Sequence, residues 1–252
     1  MNEHVYFKVE GLHKNFGGLA AVNDLTFAIE KGAIHGLIGP NGAGKTTIFN
    51  VISGFYKPSA GKIFYEGESI GGLQPHLVAA KGLVRTFQET TLFQEFSTFE
   101  NALMGRYLHT KSSMVSALFG TQRASERAAE EKTIEVLEFL GLADRKDELA
   151  LNLPHGLQRA LGIAVALTAE PRLLLLDEPF AGMNPEETRH MMDLIRKVRE
   201  SGITILLVEH NVSVALGVAD IVYILRNGSL IFEGSPTDFT ADEFTKKVYL
   251  AG

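Results

Sequence analysis

The spacing of hydrophobic positions changes along the chain and divides it into three stretches. In the first, VYFKVEGL (Val5 to Leu12) and LTFAIEKG (Leu25 to Gly32) alternate apolar and polar residues and end in turn formers, which predicts half-exposed antiparallel strands. IHGLIG (Ile34 to Gly39) is more continuously apolar, as a strand covered on both faces is. A glycine-rich turn follows, then TTIFNVISG, whose spacing predicts an amphipathic helix with Gly54 as C-cap. KIFYEGESI (Lys62 to Ile70) reads as another short strand and turn.

The middle stretch is helical in character. Ser97 and Glu100 stand at capping-box spacing in STFENALMGRYL, so a helix starts there. RASERAAEEKTIEVLEFLGL (Arg123 to Leu142) is rich in Ala, Glu and Leu, and Gly141 can stop it. HTKSSMVSALFGTQ, between them, has no clear period and reads as a loop or a broken helix. Residues 92–159 are therefore expected to form a mostly helical insertion. In the last stretch strands and helices alternate. RLLLLDEP is a buried strand; Asn184 caps a helix with Pro185 at its first position, Gly202 after its end, and Met191, Leu194, Ile195 and Val198 as its apolar stripe. TILLVEH is a second buried strand, a short helix runs from Val212 to about Ala219, and IVYILRNGSLIFEG reads as a hairpin around Asn227-Gly228. Strand, helix and strand in succession imply right-handed parallel crossovers and an α/β core.

Composition narrows the classes. Of 252 residues 45% are hydrophobic, enough for a sizeable core. A formal charge of −6 is unlike the strongly basic balance of a non-specific nucleic-acid binder, although an acidic total leaves room for a local basic patch. The absence of cysteine removes disulfides and thiolate metal sites. Met1 is followed by polar residues rather than an apolar signal region. The longest apolar runs, such as ITILLV (Ile203 to Val208), fall far short of the roughly 20 residues that span a bilayer. The expectation is a soluble intracellular protein that meets a membrane only through a partner.

The chemistry lies in GPNGAGKTT (Gly39 to Thr47), which fits G-x-x-x-x-G-K-[ST] between a buried strand and a helix. Its glycines let backbone N–H groups wrap phosphate oxygens, and the helix N-terminus adds positive potential. Gly39, Pro40, Asn41, Gly42, Ala43, Gly44, Lys45, Thr46 and Thr47 are the candidate nucleotide-binding residues. Lys45 reaches the β- and γ-phosphates, the Thr46 hydroxyl takes Mg²⁺, and Thr47 touches the α-phosphate. Asp177 and Glu178, adjacent at the end of the leucine strand, are costly there without a positive partner. The metal supplies one: Asp177 holds it, and Glu178 acts as general base on the attacking water.

With these residues placed, the chain resembles the ATP-binding subunits of ABC transporters over essentially its whole length. The resemblance implies an α/β fold: a P-loop NTPase core with a mainly parallel sheet, an N-terminal antiparallel β subdomain, and the helical subdomain 92–159 inserted within one nucleotide-binding domain, 1–252. It implies that Gln88, in RTFQET, senses the γ-phosphate and metal, and that His210, in LLVEHN, is the switch histidine bonding the γ-phosphate and attacking water. Phe16, in HKNFGG, matches the aromatic that stacks on adenine. LPHGLQR (Leu153 to Arg159) stands where the family has LSGGQ: Leu153 and Gly156 match, Pro154, His155 and Leu157 depart, and Gln158 follows. In the family this segment binds the ATP of the opposite subunit. Pro154 lacks the hydroxyl that the usual serine donates, leaving the Gly156 backbone and the helix N-terminus as donors. Asn184, in the D-loop match AGMNP, stands where aspartate is usual. Gly162 and Val165 also depart, standing where glutamate and arginine are common.

The signature together with FGGLAAVNDL, LIGPNGAGKTTIFNVISGF, VRTFQ and DEPFAGMNP is similar to the branched-chain amino-acid importer group, nearest the larger of its two paralogous ATPase subunits; urea and amide importers of that group stay open. The resemblance implies ATP and Mg²⁺ as ligands and a head-to-tail pair with a paralogue or a second copy. It implies transmembrane permease subunits as partners, a cytoplasmic, peripheral place for this chain on the inner face of the cell membrane, an indirect substrate-binding protein, and no nucleic acid. The apolar loop TLFQEFSTF is a candidate permease-docking patch. Two rivals remain: a soluble ABC ATPase acting on DNA or ribosomes, which usually carries tandem cassettes or coiled-coil insertions, and a P-loop kinase, which leaves Gln88, His210 and the signature unexplained.

Overall fold

A computed structural model describes residues 6–86, 92–108, 122–243 and 245. The N-terminal strands form a four-stranded antiparallel sheet in the order β2-β1-β4-β5, with β1 Phe7–Phe16, β2 Leu19–Ile29, β4 Ala60–Tyr65 and β5 Glu68–Ser69. Phe7 stands opposite Ile29 on one side and Tyr65 on the other. The second sheet has six strands in the order β10-β9-β3-β8-β7-β6. These are β3 Ile34–Ile38, β6 Leu83–Arg85, β7 Leu173–Asp177, β8 Thr204–Glu209, β9 Ile221–Arg226 and β10 Ser229–Gly234. All its pairs are parallel except the β9–β10 hairpin, which turns at Asn227 and Gly228 with φ of 50° and 78°, the left-handed pair a type I′ turn requires.

The leucine run now has its explanation. Leu174 and Leu176 pack among the helices, whereas Leu173 and Leu175 pack toward the antiparallel sheet and the helix Lys45–Ile52. Both faces are covered, so each side chain is removed from water, worth about 1.5–3 kcal/mol apiece. Asp177, two residues beyond Leu175, is on the same face by strand alternation and sits at the strand's end.

The helices start and stop where their caps predict. Ser97 and Glu100 close a capping box on Thr98–Met104, and Asn184 and Glu187 close another on Pro185–Glu200, with Pro185 first. The helix after the glycine turn is Lys45–Ile52, capped at Ser53, with Gly54 just beyond at φ 84°. Gln122–Phe139 and Val212–Val218 complete the expected set; residues 109–121 of the period-less segment lie outside the described residues. Residue 159 is the expected end of the helical insertion. The helix His155–Thr168 runs unbroken through it, and Val136, Leu137 and Leu153 share one apolar cluster with Leu174 and Ile205 of the sheet. A cluster packed continuously needs no break in the backbone there. Among the described residues no helix is long and apolar enough to cross a membrane.

His35, in β3, is fully buried and stacks on Tyr223 at 5.8 Å between ring centroids. The Tyr223 hydroxyl donates to the Ala28 carbonyl, so His35 Nδ1, 3.1 Å from that hydroxyl, donates to it. Nε2 then accepts from the Glu30 N–H at 3.1 Å. The neutral ring satisfies both contacts, and burial pushes the histidine down to about 4, opposed by the Glu30 carbonyl and Asp220, which favour the charged ring. Between the ordinary value and 4 the unfolded chain binds more protons, so this contribution is complete above pH 6.5 and is lost as pH falls toward 4. The loss is about 1.4 kcal/mol per pH unit. Urea unfolding at pH 6.5 and 4.5 checks it: His35→Gln flattens the acid loss relative to the parent, whereas parallel profiles discount His35. The comparison with the variant is needed because the buried Glu209 carboxyl, raised to about 7, runs in the opposite direction.

Candidate functional site

The turn between β3 and the helix Lys45–Ile52 is built around left-handed glycines. Gly42 has φ 81° and Gly44 φ 97°, and a Cβ on Gly44 would lie 2.5 Å from the Ala21 carbonyl oxygen. No other residue fits there. The cleft in front of the turn, about 610 Å³, is lined by Phe16, Asn41, Gly42, Gly44, Lys45, Thr46, Thr47 and Glu178, joined by Gly228 of the β9–β10 hairpin. The hairpin is held there by Gly228 N–H donating to the Ala43 carbonyl at 3.1 Å. Its contribution was not visible in the sequence, where Asn227-Gly228 signals only a turn.

Lys45 is buried, and its ammonium donates to the carbonyls of Gly39 at 2.7 Å and Pro40 at 3.0 Å. Burial lowers its pKa, opposed by Glu178, Glu209 and Asp177. Three carboxylates therefore act electrostatically on one ammonium. Phe16 keeps 43% of its surface exposed, with Tyr56 edge-on at 5.3 Å and the Lys14 ammonium 4.8 Å from its ring centre. Phe16 is therefore a large aromatic left exposed on the rim of the cleft rather than buried in the core.

Asp177 has a partner the sequence reading lacked. Arg85, the last residue of β6, bonds Asp177 Oδ2 through Nη2 at 2.6 Å, with both side chains almost fully buried. The other oxygen, Oδ1, is buried with no hydrogen-bond partner among the described residues. Arg85 was legible only as a lone basic residue closing an apolar run. Glu178 has φ 46°, an uncommon backbone for a non-glycine residue, and its N–H donates to the Val208 carbonyl at 3.1 Å. Its Oε2 lies 3.6 Å from His210 Nδ1, and His210 is half exposed just past β8. Glu209, beside it, is buried, accepts from the Phe180 N–H at 3.3 Å, and is raised to about 7 by burial. Gln88 lies outside the described residues.

An ABC transporter family profile matches residues 22–181. The chain belongs to the ABC transporter family. Its relatives include BraF, a high-affinity branched-chain amino acid transport ATP-binding protein of Pseudomonas aeruginosa, 41% identical over 96% of both chains. LivG of Escherichia coli K12, of the same description, is 38% identical over 96% of both. An ATP-binding cassette of an ABC transporter solved in its ADP conformation superposes with a TM-score of 0.85 at 30% identity, covering 98% of this chain and 99% of that one.

The ABC signature segment lies apart from the cradle. Pro154 and Gly156 line a second groove of about 600 Å³, together with Leu140, Asn184 and Met191. Leu153 is buried and anchors the segment in the core, so its side chain does not face a ligand. Gln158 turns inward too, donating from Nε2 to the Leu153 carbonyl at 3.0 Å. Pro154 and His155 are exposed at the start of the helix His155–Thr168, whose first N–H groups have no carbonyl of their own turn to bond. His155 also abuts the D-loop: a Cβ on Gly182 would lie 3.2 Å from His155 Cε1.

The donor set of this ABC cassette suits Mg²⁺. The described residues contain no cluster of three or more acidic or histidine side chains able to cage an ion. Asp177 offers one unpartnered buried oxygen and Thr46 an exposed hydroxyl on the adjacent helix. A hard cation that keeps waters and shares ligands with phosphates fits such a sparse set.

Proposed function

We propose that this chain is the ATP-hydrolysing subunit of an importer for branched-chain amino acids. The observation that carries the reading is the cleft itself, which joins a phosphate cradle, an exposed aromatic and Glu178, with His210 behind that carboxylate. Phe16 stacks on adenine. The cradle N–H groups and Lys45 bind the phosphates, exchanging the Gly39 and Pro40 carbonyls for phosphate oxygens. Glu178 takes the proton of the attacking water, and His210 holds Glu178 and that water in line. Asp177 and Thr46, with Gln88, would hold Mg²⁺, and the ion would supply charge neutralisation at the phosphates.

The signature residues act on a second subunit's ATP. They open on a different groove from this chain's own cradle, so a head-to-tail pair supplies each nucleotide with both halves. His155 against Gly182 links the signature of one site to the D-loop of the other.

The helical segment 92–159 presents the permease-docking surface. Phe93 and Phe96 stack at 5.1 Å yet are 51% and 38% exposed. Leu149 and Leu151, also exposed, lie beside them, because the Ala150 N–H donates to the Phe96 carbonyl at 2.9 Å. Asn101, buried, fastens this loop through bonds to Phe93, Phe96 and Ser97. A rigid exposed apolar patch is built for a partner, here a permease at the inner face of the membrane. The relatives' transport of branched-chain amino acids supports the substrate class. Reconstitution with its permease and binding protein in vesicles tests the whole reading. ATP-driven uptake of leucine, and not urea, is expected; urea uptake alone reassigns the substrate, and no ATP-driven uptake of either defeats the importer reading.

A further inference from the structure

We propose that Arg85 is a positioning residue for the metal site, setting the spacing between the two protein oxygens that meet Mg²⁺; this rests on the Mg²⁺-ATP reading above. Arg85 stands opposite Leu175 in the β6–β7 pairing, and its side chain reaches forward along β7 to Asp177. Nη2 holds Oδ2 at 2.6 Å, while Nη1 donates to Asn50 Oδ1 at 2.7 Å and to Ser53 Oγ at 3.3 Å. The guanidinium also lies over the Phe49 ring, 5.4 Å from its centre. Asn50 follows Thr46 by one helical turn, so the two share a face of the helix Lys45–Ile52.

One planar fork therefore clamps the face of the helix that carries Thr46 to the carboxylate of Asp177. With Oδ2 occupied by Arg85, Oδ1 is the oxygen left to the metal and its waters. The strand ends cannot drift apart, because the Thr86 N–H donates to the Leu175 carbonyl at 2.9 Å. Thr86 Oγ1 also accepts from the Asp177 N–H at 3.4 Å. A lysine keeps the buried charge but presents a single ammonium without the fixed fork, and it cannot hold both partners in one plane.

Binding of a fluorescent ATP analogue by the full chain, titrated with Mg²⁺ and repeated in EDTA, tests the clamp in the parent, Arg85→Lys and Asn50→Ala. Arg85→Lys is expected to bind in EDTA as the parent does and to need about 10–100-fold more Mg²⁺ for the metal-dependent gain, as outer-shell partners of metal ligands do. Asn50→Ala, which keeps the ion pair, shifts the Mg²⁺ requirement in the same direction by less. A parental Mg²⁺ requirement in both variants overturns the proposal, as does an equal loss with and without Mg²⁺, the mark of a merely structural ion pair. If Arg85→Lys does not fold, Asn50→Ala alone decides by the same criterion. A parent whose ATP binding ignores Mg²⁺ overturns the metal reading itself and the clamp with it.

Discussion

Glu178→Gln keeps ATP binding within a few-fold of the parent and lowers turnover by about 10²–10⁴-fold, the usual contribution of a general base. The amide matches the carboxylate in size and still accepts a hydrogen bond, but it cannot take the water's proton. The scaffold around it is rigid. The backbone at Glu178 is left-handed, a strain of about 1–3 kcal/mol that persists only where the surroundings dictate it. Here the Val208 carbonyl takes its N–H, and its own carbonyl takes the Ala181 N–H at 3.2 Å. The same strand end delivers His210 to within 3.6 Å of Oε2. Phosphate release followed over time, alongside equilibrium ATP binding, reads both quantities. Turnover within ten-fold of the parent would move the base elsewhere and reduce Glu178 to an electrostatic bystander.

Lys45→Ala removes binding rather than chemistry, and its effect is nearly as large. The ammonium is buried with two carbonyl partners and three carboxylates acting on it. Once it is gone, those carboxylates face the incoming phosphates with no compensating charge except the backbone cradle. A charge pair about 4 Å apart is worth about 4 kcal/mol at an effective dielectric near 20, so ATP affinity falls by about 10³-fold. Isothermal titration with ATP measures it. Affinity within ten-fold of the parent would mean that the N–H groups of Gly42 to Thr47 carry the phosphates alone. The fold tolerates the change better than most buried deletions, since Gly39 and Pro40 lose a donor at a cleft open to water.

The elements around the cradle were legible because their signals are local. A buried strand, a glycine turn and a helix in sequence predict the phosphate site, and the left-handed glycines confirm why nothing larger fits. The Ser97 and Asn184 capping boxes are likewise set by residues three apart. The helix His155–Thr168 depends on residues far away in the chain. Its buried face belongs to a core shared with the sheet.

The sequence alone determined the residue types, their order and the short-range geometry of the site: the turn that binds phosphate, the acid pair closing a leucine strand, and the histidine closing the next. Capping, glycine stereochemistry and strand alternation act within a few residues and can be read in line. Only the tertiary structure decided that Arg85 meets Asp177 across 92 positions, that Tyr223 holds His35 across 188, and that Phe93 and Phe96 stay exposed together. The first two pairings follow from the strand order β9-β3-β8-β7-β6. That order is selected by the burial of the whole core, so no short window of residues contains it.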